Sequence, residues 1–157
     1  MAEVLTTFLR KRADQSLAYL LREAEAVDSG EAFRDRRDNW PDQRWGIGQD
    51  GSIAGILYHT AAWKQLTLPL FALDGQAGSR ADFEPSTAPD RDDWPAIVDW
   101  LRRVGAEWNA QLAAADLDAI REWEGARLTL ADYAVEMIQH DVQHAAQIEY
   151  LRQLHKS

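Results

Sequence analysis

Two of the chain's four histidines, His140 and His144, stand four residues apart in MIQHDVQHAAQIEYLRQL, residues 137–154, a run without proline or glycine. Four residues is slightly more than one helical turn, so both rings leave the same helix face. Met137, Ile148 and Leu151 continue that face as an apolar stripe. Holding two imidazoles in such a stripe costs desolvation, and each ring needs a partner. A neutral imidazole offers a lone pair, which a divalent metal uses well. His59 lies on the apolar stripe of an earlier segment, between Ile56 and Trp63. Taken alone it reads as a hydrogen-bonded core residue. Because helical bundles build metal sites from facing helices, it also completes a plausible three-histidine set. Three protein ligands with one open position describe a catalytic or substrate-binding metal, not a closed structural one. His155, beside Lys156 and Ser157, reads as a solvated residue at the end of the chain.

HDVQH shares its histidine spacing with the HExxH helix of metalloproteases, but Asp141 replaces the glutamate that would act as base. No third ligand follows His144 at close spacing, which disfavours that chemistry. Glu136, one turn before His140, and Asp141 beside it are candidates for a base or for a partner to a ligand ring. A carboxylate on a solvated helix face is the commoner case.

Four long helical segments would position these groups. Residues 3–27 carry Leu5, Phe8, Leu9, Leu17, Leu20, Leu21 and Ala24 at amphipathic spacing. Residues 28–50 are broken by Gly30, Pro41, Gly46 and Gly48 and read as a long loop, with Trp40 and Trp45 as candidates to line a pocket mouth. A second helix begins after the N-cap Ser52 and runs to Gly75, with Ile56, His59, Trp63, Leu66 and Leu70 inward and a kink or a shortened last turn at Pro69. After a loop over 75–92, Asp92-Asp93 and Pro95 announce a third helix, with a stripe of Trp94, Ile97, Val98, Leu101, Val104, Trp108 and Leu112. REWEGARLT reads as a small hairpin or extended turn. The fourth helix opens at Thr129 with Asp132 three residues on, an approximate capping box, and Leu128 with Tyr133 as a hydrophobic staple.

Four helices with no convincing sheet and no repeat make an all-α four-helix bundle, with 1–157 read as one domain. The long loops permit a crossover, so simple up-down order does not follow. Trp63, Trp94, Trp100 and Trp108 read as core or interface, and such helix-borne tryptophan could supply the apolar patch of a homodimer.

Composition narrows the function. With no cysteine, thiolate metal sites, disulfides and a cysteine nucleophile are excluded in this chain. A formal charge of −9 argues against a nucleic-acid partner, which needs a basic footprint. No apolar run reaches the roughly 18 residues of a membrane span, and Met1 leads into a charged amphipathic segment without a signal-peptide core, so a soluble cytoplasmic protein with no membrane partner is expected.

The segments SIAGILYHTAAW and HDVQHAAQI, together with the WEGARLTLADY approach to the last helix, resemble the DinB-like superfamily of metal-binding four-helix bundles, over nearly the whole chain. The resemblance implies a divalent ion, zinc or nickel, held by His59, His140 and His144. It also implies transfer chemistry on a low-molecular-weight thiol cosubstrate, as in bacterial thiol-dependent S-transferases. Gln147 matches the family pattern. Many relatives carry Arg-Gly after the last histidine where this chain has Ala145-Ala146, so no arginine contact to a substrate or anion is implied there. The alternatives are a metal-binding stress or accessory protein without turnover and a bundle whose histidines are structural.

Overall fold

The computed structural model describes residues 2–37, 49–72, 77–80, 83, 85 and 87–157. Its elements are α1 (Ala2–Glu25), the short α2 (Ser29–Ala32), α3 (Ile53–Thr67) running into a 3₁₀ turn (Leu68–Phe71), α4 (Trp94–Ala114), β1 (Ile120–Trp123), β2 (Ala126–Thr129) and α5 (Leu130–Lys156).

Local chemistry sets these boundaries. The Ser52 hydroxyl accepts from the Gly55 N–H at 3.0 Å and caps α3. Buried Asp50 in turn accepts from the Ser52 amide. That carboxylate packs so tightly that a Cβ at Gly55 would lie 2.0 Å from Asp50 Oδ1, which makes glycine obligatory there. Pro69 cannot donate to the ladder, and α3 tightens into the 3₁₀ turn instead of continuing to Gly75. Asp93 caps α4 with Pro95 in its first turn. Thr129 and Asp132 exchange both bonds of the capping box, and Leu128 and Tyr133 belong to one apolar cluster. The hairpin turns through Glu124 (φ 51°) and Gly125 (φ 80°), the two positive φ values of a type I′ turn.

α1 lies against α4 and α5, and α3 lies against the same two, so α1 and α3 take opposite corners of the bundle. Side-chain pairs give the directions. Ser16–Asp141, Tyr19–Glu149 and Glu23–Arg152 advance together, so α1 and α5 are parallel. Asp14–Asn109 and Glu25–Arg102 run in opposite order, so α1 and α4 are antiparallel. Gln65–Trp100 and Thr67–Trp108 make α3 parallel to α4. Consecutive parallel helices require a connection that returns along the bundle, and the segment after Phe71 provides it. The order is up-down-down-up.

The α4 stripe is buried as the spacing predicts, with Trp94, Ile97, Leu101, Val104, Trp108 and Leu112 all inside. In α3 the expected single stripe is exceeded: apart from His59, Trp63 and Gln65, every residue from Ile53 to Thr67 is buried. Ala32, Phe33, Phe83 and Ala88 from the connecting segments pack onto the cluster that includes α3 and close its outer side.

Candidate metal centre

α3 and α5 face each other, and between them the three histidine rings converge. His140 Nε2 lies 3.1 Å from His59 Nε2 and 3.1 Å from His144 Nε2. One nitrogen from each ring falls within 4.8 Å of the other two. His144 is buried, while His59 and His140 are half-buried.

The proton inventory explains why this cluster invites a cation. His144 Nδ1 lies 2.7 Å from Gln147 Oε1. An amide oxygen only accepts, so Nδ1 carries the proton and Nε2 is left with its lone pair. His140 Nδ1 is buried and has no hydrogen-bond partner among the described residues. Burial first, then the proximity of His144, His59 and the Lys64 ammonium, pushes the His140 pKa down to about 2. Burial also lowers that of His144, opposed by its bond to Gln147 and by the Asp141 carboxylate. The His144 Nε2 lone pair faces His140 Nε2 at 3.1 Å, and His59 Nε2 lies 3.1 Å from the same atom, so a cation placed among the three rings would meet nitrogen donors from all of them. Around a tetrahedral zinc with N–Zn of about 2.0–2.1 Å, ligand nitrogens stand about 3.3–3.4 Å apart. The two distances to His140 Nε2 differ from this by only a few tenths of an ångström and the third pair lies within 4.8 Å, so the cluster can hold a divalent ion.

A cavity of about 160 Å³ reaches His140. Trp63, Thr67, Trp123, Tyr133, Glu136 and Met137 form the rest of its lining. Trp63 stands edge-on to Trp123 with centroids 5.6 Å apart and lies 5.8 Å from the His140 ring. Trp123 is fixed from the other side, its indole N–H donating to the Gly78 carbonyl at 2.9 Å. The hairpin therefore supplies one wall of the cavity.

Several readings of individual residues need correction. Trp94, Trp100 and Trp108 are core, but Trp63 is half-buried and lines the cavity, because α3 presents His59 and Trp63 one turn apart where the packing opens. Trp40 and Trp45 lie outside the described residues. His155 is not solvated: its side chain is 7% exposed, between Glu31 and Asp35, because α2 folds over the end of α5. Asp141 is not a helix-face carboxylate either. It is 1% exposed and ion-paired at 2.8 Å with Lys64, itself 1% exposed. Glu136 is exposed, at the cavity edge.

The model of the DinB superfamily matches residues 12–148, the span that contains all three histidines. The chain belongs to the DinB superfamily. The match covers α3 and α4 entirely and most of α1 and α5, so the DinB-like all-α fold and the three-histidine cluster stand within one family match. No curated protein and no solved structure matches this DinB-superfamily chain. Among its described residues, no helix is long and apolar enough to cross a membrane.

Proposed function

We propose that His59, His140 and His144 hold one divalent metal ion, zinc or nickel, and that the protein uses it in transfer chemistry on a low-molecular-weight thiol. The convergence of three Nε2 atoms at the end of a cavity carries this reading. A divalent ion held by three neutral imidazoles would act as a Lewis acid and lower the pKa of a thiol at its open position. The chain has no cysteine, so the thiol comes from a cosubstrate. The protein's own groups would do the rest. Gln147 fixes the His144 tautomer, Trp63, Trp123, Tyr133 and Met137 seat an apolar acceptor against His140 and exclude water, and Glu136 is the carboxylate within reach of a transferred proton.

One observation favours a second reading, a metal-binding accessory protein without turnover. Asp141, the carboxylate next to His140 in the chain, is committed to Lys64, which leaves the cavity with Glu136 alone. Metal-loaded protein incubated with a panel of thiols and electrophiles separates the two. Thiol consumption that requires metal and disappears in His140→Ala supports transfer. Bound metal without turnover across the panel supports the accessory role.

A homodimer also belongs to this reading. Its apolar area would not come from the helix tryptophans, since Trp94, Trp100 and Trp108 are buried. Val4, Leu5 and Phe8 of α1 and Val135, Val142 and Tyr150 of α5 are the exposed alternatives. Sedimentation at micromolar concentration would show twice 17.8 kDa if the proposal holds, and a 17.8 kDa species alone would contradict it.

A further inference from the structure

Lys64 is the single charged residue of α3, and it is as deeply buried as any aliphatic side chain around it. Its ammonium lies 2.8 Å from Asp141 Oδ2 and 4.8 Å from the centre of the Trp108 ring. Ser16 of α1 donates to the same Oδ2 at 3.0 Å, while Asp141 Oδ1 is buried without a hydrogen-bond partner among the described residues. Such a pair is a poor device for stability. Desolvating two charges costs several kcal/mol each, and well-packed apolar residues of similar volume are often as stable or more so. The best-attested use of a buried polar pair is to select one register between packed elements.

Its position says which register. Lys64 and Asp141 join α3 to α5, the two helices that carry the three histidines. Asp141 follows His140 directly, and Lys64 lies five residues after His59. A slide of α3 along α5 would break the 2.8 Å contact and would carry His59 away from His140 by the same displacement. Apolar contacts along these helices tolerate such a slide, whereas a desolvated ion pair does not.

We propose that Lys64 and Asp141 are positioning residues for the histidine cluster: their buried ion pair locks α3 against α5 in the register that brings His59 Nε2 to His140 and His144. The inference rests on the metal-binding reading above. It assigns the pair to the geometry of the site and not to the stability of the bundle.

The test uses the double variant Lys64→Met/Asp141→Leu, which removes both charges together and leaves no orphan partner, because the Ser16 hydroxyl can turn its one proton to the Ala13 carbonyl, 3.0 Å away. Cobalt(II) is the probe, since its visible absorption reports coordination geometry. The control is Leu101→Ala, which loosens the α4 core away from the α3–α5 contact. The double variant should melt at or above the wild-type temperature, bind cobalt(II) about ten- to a hundredfold more weakly, and give a changed spectrum, while Leu101→Ala keeps the wild-type spectrum. Wild-type affinity and spectrum in the double variant would overturn the inference. So would a double variant that does not fold, or a spectrum changed equally by Leu101→Ala. Wild-type protein that binds no cobalt(II) would instead remove the metal-binding reading, and the inference with it.

Discussion

The two faces that enclose α3 are built on opposite principles. Towards α4, contact is made by Trp100, Trp108, Leu101 and Ile97, and the polar groups that enter do so through the tryptophans, as Trp108 Nε1 donates to Thr67 Oγ1 at 3.1 Å and its ring faces the Lys64 ammonium. Towards α5, the same helix presents the His59 ring and, five residues on, the Lys64 ammonium of a buried ion pair. The α4 face gains free energy from each residue it buries. The α5 face spends part of that gain on desolvated groups that fix geometry. A bundle needs the first kind of interface to fold, and it needs the second only if something must be held in place.

Breaking the ion pair on one side should give the largest effect. Lys64→Met leaves Asp141 buried and unpaired, and a loss of about 3–5 kcal/mol is expected from chemical denaturation. A loss below about 1 kcal/mol would mean that Asp141 reaches water in the variant. Next comes the apolar face. Leu101→Ala empties a fully buried position and should cost about 2–5 kcal/mol while leaving metal affinity unchanged within a factor of about two, as isothermal titration would show. Those two variants together separate an interface that stabilises from one that positions.

The smallest effect is in pH. His140, with its pKa depressed to about 2, and His144, also depressed, stay neutral in the folded protein where the unfolded chain's histidines protonate. Below pH 6.5 the unfolded state therefore binds more protons, and stability must fall as pH falls. The metal-free protein should lose about 1 kcal/mol from His140 between pH 6.5 and 5.5, with a further loss of the same sign from His144, and almost nothing between 8.5 and 7.5. His140→Ala/His144→Ala should flatten that slope, and Leu101→Ala should not. An unchanged slope in the double histidine variant would place the titrating groups elsewhere.

What the sequence revealed and what it hid follow the same division. The α4 stripe, the Ser52 and Thr129 caps and the hairpin at Glu124-Gly125 are local patterns, set by residues within a few positions of one another. The pairing of His140 with His144 is local too, and His59 was legible as a histidine on the core stripe of another helix, to which the family resemblance added the ligand role. Lys64 and Asp141 were illegible because each is a charge whose partner lies on another helix, and a charge on a helix is normally solvated. One signal was present: Lys64 is the single charge in IAGILYHTAAWKQLT. The burial of His155 depends on α2, a four-residue helix too short to announce itself. Trp63 was misjudged because helical spacing says which side chains turn inward but not where a cavity interrupts the packing.

Whether three imidazoles share one ion is decided by metal content measured together with circular dichroism on untagged protein. Wild-type protein should carry one divalent ion per chain at neutral pH, and His140→Ala should carry almost none while keeping its helical spectrum, because the buried Leu, Ile and Trp residues of the helices remain in place. Equal metal content and affinity in the two proteins would show that these histidines belong to the core and not to a metal.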